Sequence, residues 1–279
     1  MENTITEAMP AAPYKLDEEI QREMDAYYEQ VEVEDDEPVD GILSAKQMRL
    51  LVSPLYSSWT PPPRRGQAEH EKRPFLADVN VGVFYSISEP PIVPDFFLSL
   101  DVRQKPDWHE KKNLAYFIWE RGKPPDIAVE IVSNREGGEL AHKPGIYAMI
   151  GVRYYVVYDP LGKLRGPLLQ MFVIGEDGEY KFMDGTYMSR IGLGLTLWEG
   201  VFEGFDDTWL RWVDSEGNLI LTGEELALQE AERADQETER ADQEAERADR
   251  EAAARREAEE QAARLTQKLR ELGLDPERV

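Results

Sequence analysis

The chain has no cysteine, which excludes disulfide bridges and thiolate metal centres alike. Its three histidines, His70, His109 and His142, are too scattered to give the paired spacing of a zinc site. A chain without cysteine suits a reducing compartment. The opening residues, MENTITEAMPAAPYKLDEE, have neither the basic start nor the apolar stretch of a signal peptide. No apolar run approaches the roughly 20 residues that cross a bilayer. These absences predict a soluble, cytoplasmic protein with no membrane partner.

What is abundant is acid. The formal net charge of the 279 residues is −24, a poor match to a nucleic-acid ligand if it were spread evenly. It is not spread evenly. Residues 1–40 hold 14 acidic and 2 basic side chains, and residues 223–279 hold 18 and 10. The segment between carries the remaining 24 acids and 20 bases, a net of only −4.

The pattern along the chain divides it into four stretches. Residues 1–40 read as a flexible acidic arm with a short helix at 15–30, followed by VEVEDDEPVD, too charged to pack. Residues 41–75 combine a helix in SAKQMRLLVSPLY with a Pro-rich loop leading into the core. From 76 to 222, short apolar runs alternate with turn residues, as strands do. ADVNVGVFYS is expected to be one strand with Val79, Val81 and Val83 on one face. PDFFLSLDV, DIAVEIV, VRYYVVYDP, GPLLQMFVIG and GEYKFM follow, the last two joined by a turn at Glu176–Gly178. TWLRWVDSEGNLILTG predicts another hairpin about Ser215–Asn218, and a helix is expected at about 137–150. The fold class is α/β, a mixed β-sheet core flanked by helices.

Residues 223–279 differ in kind. AERADQE, TERADQE and AERADRE repeat every seven residues and set an alanine stripe that passes into Leu265, Leu269 and Leu272. Same-face pairs such as Glu246/Arg250 and Glu260/Arg264 support a long helix. A homo-oligomeric coiled coil and a solvated single helix are both compatible with this pattern, because alanine buries little area.

One residue in the strand region is out of place. In DIAVEIV, alternation puts Glu130 on a face with Ala128 and Val132. A carboxylate among apolar neighbours is costly unless a cation or hydrogen-bond donors compensate it, which makes Glu130 a site candidate. The competing reading is an edge-strand glutamate facing water. Asp95, after Pro94, heads the preceding strand. Carboxylates on neighbouring strands can hold a hard divalent cation such as Mg²⁺. Asp126 reads mainly as a strand-start residue, with a supporting role behind the site as the alternative. Asp78 shares its face with Asn80 and Gly82, and a solvated sheet face is favoured over a place lining the cleft. Tyr147, Tyr154 and Tyr155 read as packing residues, Asp159-Pro160 as a turn, and the tryptophans of TWLRW and WEG as core or hairpin pairs rather than a base-stacking platform.

The ordered set VPDFFLSLDV, WERGKPPDIAVEIVSN and HKPGIYAMIGVRYYVVYDP resembles the Uma-type restriction-endonuclease branch of the PD-(D/E)XK nuclease superfamily. The resemblance covers about residues 76–222 and includes the later GLGLTLWEGVFEGFDDTWLRWVDSEGNLI. It implies a restriction-endonuclease-like fold, with Asp95 and Glu130 as metal ligands and Mg²⁺ (or Mn²⁺) as cofactor. The superfamily's Glu-x-Lys would place its lysine at Val132, which is apolar; in this branch the lysine stands on the following helix, four residues before a tyrosine, at Lys143. Proline disfavours helical backbone in the residue before it, so Lys143 is expected just ahead of a helix that begins at Pro144.

Three functions follow from these residues. The first is a metal-dependent endonuclease hydrolysing DNA phosphodiester bonds through Asp95, Glu130 and Lys143. The second is a catalytically inactive binding or assembly module that works through its coiled-coil tail. The third is a phosphoesterase acting on RNA or another phosphodiester.

Overall fold

The computed structural model of the protein describes residues 18–30, 41–64, 66, 71–107, 109–132 and 139–271. The expected flexible arm falls largely on residues 1–17 and 31–40, outside the described residues. The chain divides into two units, residues 1–222 and 223–279.

The first unit opens with helices α1 (Glu18–Gln30) and α2 (Ile42–Ser57). Strands β1 (Phe75–Asp78), β2 (Val83–Phe84) and β3 (Phe96–Leu100) follow, then α3 (Lys111–Leu114), β4 (Tyr116–Phe117) and α4 (Ile118–Arg121). Next come β5 (Ile127–Ile131), α5 (Glu139–Ile150), β6 (Tyr154–Tyr158), β7 (Leu169–Ile174) and β8 (Tyr180–Phe182). The unit closes with β9 (Tyr187–Met188), β10 (Leu193–Phe202) and β11 (Phe205–Val213).

The main sheet has six strands in the order β1-β3-β5-β6-β7-β8. It is mixed: β5 and β6 run parallel and its other pairings are antiparallel. A parallel pair needs a crossover, and α5 supplies it. Both β3 and β5 begin just after a Pro-Asp step, where proline's missing N–H and fixed φ stop the ladder from extending backwards. β9, β10 and β11 form a second sheet, and β2 and β4 a short parallel pair.

Strand alternation sends side chains into two cores. On one face Phe96, Leu98, Ile127, Val129 and Val156 pack with Leu51 and Leu55 of α2 and with Leu195 and Trp212 of the second sheet. On the other face Phe97, Ala128, Tyr155 and Val157 pack with Tyr147 of α5 and with Val83 and Tyr116. The main sheet is therefore covered on both sides, and all five residues of β5 are buried.

Two expected elements differ. The run from Ala77 to Ser86 is not one strand, because Asn80 takes a left-handed backbone (φ 52°) that breaks the ladder. The three valines consequently part company: Val79 packs in the first core, Val81 and Val83 in the second. The hairpin expected about Ser215–Asn218 makes only a single bridge, Val213 to Leu219. The full-length partner of β11 is β10, joined to it by Glu203 and Gly204, both at positive φ (45° and 80°). That is the conformation a tight two-residue hairpin needs.

The second unit is α6 (Gly223–Glu271), 49 residues with none buried. Arg250 meets Glu246 at 2.9 Å, Arg247 meets Glu251 at 3.1 Å and Arg255 meets Glu259 at 3.0 Å, all one helical turn apart.

Within the first unit, α2 is fastened to β11 by a side chain inserted into a backbone ladder. The buried Gln47 amide donates to the Leu210 carbonyl (2.8 Å) and accepts from the Leu210 N–H (2.9 Å). Replacing it with leucine leaves both buried backbone groups unpaired, at about 1–3 kcal/mol each. Gln47→Leu should therefore lower the unfolding free energy by roughly 2–6 kcal/mol in urea titration; an unchanged midpoint would show that α2 is held by apolar packing alone.

Candidate active site

Three elements bring the acidic residues together. β3 and β5 pair antiparallel with Phe96 opposite Val129. Carrying that register one residue further sets Asp95 directly across from Glu130, on the same sheet face. Side chains so placed have Cβ atoms about 5 Å apart. The Asp95 carboxylate is anchored by the backbone N–H of Ile131, which donates to its Oδ2. Asp95 is thus tied to the residue next to Glu130, and the two charges feel each other.

Glu130 does not face water from an edge. β5 lies between β3 and β6 in the sheet, and Glu130 is 5% exposed. Both of its oxygens are engaged from α5. Lys143 Nζ stands 2.9 Å from Oε2, and Tyr147 donates its hydroxyl to Oε1 at 2.7 Å. Residues four apart share a helix face, so one turn of α5 delivers both groups. Lys143 Nζ also donates to the Val93 carbonyl at 2.9 Å, which fixes the ammonium between the start of β3 and the middle of the sheet.

The helix lies where it was expected, at about 137–150, but it does not start at Pro144. α5 begins at Glu139 and runs through Pro144. A proline this near the start of a helix removes only one intrahelical bond, and Lys143 is a helical residue aimed at Glu130.

The electrostatics follow from this packing. Burial, reinforced by the like charge of Asp95, pushes the Glu130 carboxyl up to about 7, against the opposing pull of Lys143 and Tyr147. Burial, followed by the neighbouring Glu130, raises the Tyr147 hydroxyl well above its ordinary range. The Tyr155 hydroxyl is buried with no hydrogen-bond partner among the described residues, and burial followed by the charge of Glu130 raises it too.

The other acids do different work. Asp126 accepts the Leu100 N–H at 2.7 Å and pairs with Lys123, which locks the start of β5 to the end of β3. Asp78 is not on a solvated face. It is half-buried, its carboxyl is raised by burial, and it lines a cavity of about 130 Å³ with Phe97 and Arg121. Asp159 is buried and accepts the Leu164 N–H at 2.6 Å, closing a turn. Tyr147 is the site residue that reads from sequence as mere packing. Its four-residue spacing from Lys143 was the available signal.

The two carboxylates could serve as oxygen ligands for a hard cation such as Mg²⁺ or Mn²⁺, which takes few protein ligands and keeps several waters, with the Lys143 ammonium beside them. Among the described residues no group of three or more acids and histidines converges, so a fully protein-ligated zinc centre has no ligand set there. Each carboxylate oxygen has two lone pairs, and one hydrogen bond leaves the second available.

Residues 64–184 match the Uma2 family, described as "Putative restriction endonuclease". No curated protein matches the chain. Among solved structures, a crystal structure of a "putative nuclease" from Anabaena variabilis is similar at 14% identity and a TM-score of 0.35, over 57% of this chain and 76% of that one.

The raised Glu130 carboxyl has a measurable sign. With a folded-state value above the unfolded one, this group's contribution to stability is full below the ordinary carboxylate range and is lost as pH rises through about 7. Asp95, Lys143, Tyr147 and Tyr155 are the polar groups facing it, from β3, α5 and β6. In chelator, the melting temperature should fall between pH 6 and pH 8 more steeply for the natural protein than for Glu130→Gln. Millimolar Mg²⁺ should reduce that difference. Superimposable pH profiles of the two proteins would show that the buried carboxyl does not titrate in this range.

Proposed function

We propose, on the footing that residues 64–184 match the Uma2 family, that this protein is a nuclease hydrolysing DNA phosphodiester bonds with a divalent cation held by Asp95 and Glu130. The observation that carries the proposal is the cross-strand opposition of those two carboxylates, with Lys143 in contact with one of them.

Hydrolysis needs a water on one side of the phosphorus, a departing oxygen on the other, and something to offset negative charge between them. A cation bound to the carboxylates would acidify water and neutralise part of that charge. The protein supplies the rest. Ile131 N–H holds Asp95, and the Tyr147 hydroxyl holds Oε1 of Glu130. Lys143 brings a second positive charge, fixed by Val93 and Glu130 and so already positioned for the phosphate oxygens or for orienting the water. Its ammonium sits beside a buried carboxylate and is itself largely buried, where a preorganised charge acts most strongly.

Supercoiled plasmid incubated with the purified protein and Mg²⁺ or Mn²⁺ should be nicked, and chelator should stop it. Glu130→Ala should abolish cleavage. Lys143→Ala should slow it by about 10²–10³-fold, as for loss of a single charge-stabilising donor, and Tyr147→Phe by less. Cleavage that survives Glu130→Ala would place the site elsewhere. No cleavage of single- or double-stranded DNA by the natural protein, with RNA degraded instead, would move the substrate to RNA. No cleavage of either would leave a binding module.

A further inference from the structure

Asp101, six residues along from Asp95 and just beyond the opposite end of β3, is the centre of a cationic hollow. It takes a left-handed backbone (φ 66°). Its carboxylate gathers Arg73 through two bonds, 2.7 and 2.8 Å, and Arg64 through one at 2.7 Å. Arg73 is braced further by the Pro62 carbonyl at 3.3 Å. Beside them lies an open hollow of about 750 Å³, lined by Arg64, Lys72 and Arg103 as well as Asp101 and Glu71. It adjoins a second hollow of about 570 Å³ that shares Lys72 and Arg103 and adds Arg73, Tyr56 and Trp59. Across the two, among the described residues, four cations face two acids, a local excess of positive charge on a chain whose net charge is −24.

The aromatic side chains at its edge are held in place. Tyr56 is 53% exposed, yet its hydroxyl is pinned to both the N–H and the carbonyl of Ala77 at 3.0 Å. Its ring is backed by Phe75 at 4.9 Å between centroids, and Trp59 meets the same Phe75 edge-on at 5.2 Å. A ring fixed at its polar end and supported on one side presents its other side with little rotamer entropy left to lose.

Cations that track a backbone, next to aromatic rings on which bases stack, are what an unpaired polynucleotide strand binds. A duplex would satisfy the cations but keep its bases stacked inside. An acidic peptide would leave the rings unused. We infer that the confluent hollows around Arg64, Lys72, Arg103 and Tyr56 dock a single-stranded stretch of the nucleic-acid substrate, away from the Asp95–Glu130 pair. The inference rests on the nuclease reading for its substrate class. The six residues from Asp95 to Asp101 span about 20 Å of strand, about six nucleotide steps of a stacked strand.

The test is binding of a fluorescent oligothymidylate in chelator, so that cleavage cannot interfere, followed by anisotropy at several salt concentrations. Lys72→Glu/Arg103→Glu is the informative variant, since among the described residues neither side chain makes a hydrogen bond on which the walls of the hollow depend. It should weaken binding about tenfold or more at low salt. Because it removes two cations that would neutralise phosphates, it should also flatten the logarithmic salt slope by about 1.4. A charge-matched control on α6, Arg240→Glu/Arg256→Glu, should bind as the natural protein does. Equal loss in the control would reduce the effect to overall charge and overturn the site. So would unaltered binding by the Lys72/Arg103 variant. A duplex of equal length binding as tightly, or polyglutamate displacing the strand as well as unlabelled oligothymidylate does, would overturn the single-stranded assignment. Plasmid nicking separates the two ideas. Salt-sensitive strand binding without nicking would retain the docking site and remove the nuclease reading. Nicking by a protein whose strand binding ignores Lys72 and Arg103 would do the reverse.

Discussion

A carboxylate buried in the middle of a covered sheet is the constraint from which the rest of the site follows. Glu130 occupies a position where its neighbours along the face are Ala128 and Val132. An ionised group there loses its hydration, and each compensating contact must come from protein or from a bound cation. Lys143 and Tyr147 reach it from one turn of α5. They do so because β5 and β6 run parallel and the crossover between them must lie over that face. Asp95 approaches from the other side because β3 pairs with β5 in one register only. A slip of a single residue would turn its side chain to the opposite core.

This arrangement is unfavourable in a useful way. Burial, and after it the like charge of Asp95, raises the Glu130 carboxyl to about 7, which the single ammonium of Lys143 does not offset. Under the proposed function, a cation bound between the two carboxylates would relieve a repulsion that folding imposes. The structure around it is correspondingly firm. Asp126 ties the beginning of β5 to the end of β3, and Gln47 ties α2 to β11 across the first core. Both are polar side chains inserted into backbone ladders, which fix direction as well as distance.

Charge is sorted along the chain in the same spirit. The acid-rich stretches, 1–40 and 223–279, flank a nearly balanced middle. Within that middle the cations are not evenly distributed, for Arg64, Lys72, Arg73 and Arg103 come to one place from two loops. Clustered charge of one sign attracts a polyanion over distances of the order of a Debye length even when the net charge is opposite. α6 shows the other use of charge. With no residue buried, it is supported by helix-forming composition and by ion pairs one turn apart, each worth a few tenths of a kcal/mol.

The division between sequence and tertiary structure follows the range of the interactions. Periodicity and turn chemistry are local, so the strands about Phe97, Ala128 and Val156, the crossover helix and the long final helix are legible in the chain itself. So is the oddity of Glu130, because alternation alone places it among apolar residues. Local pattern could not reveal that Asn80 breaks a run of alternating valines, since that break depends on a left-handed backbone. Nor could it show that β11 pairs with β10, where the deciding Glu203–Gly204 turn carries no strong signal. The role of Tyr147 and the gathering of Arg64, Arg73 and Arg103 about Asp101 were set by strand order and packing. The sequence by itself determined which residues are too costly to be where they are. Only the tertiary structure decided which groups meet them, because register, crossover and sheet order bring together residues that the chain holds far apart.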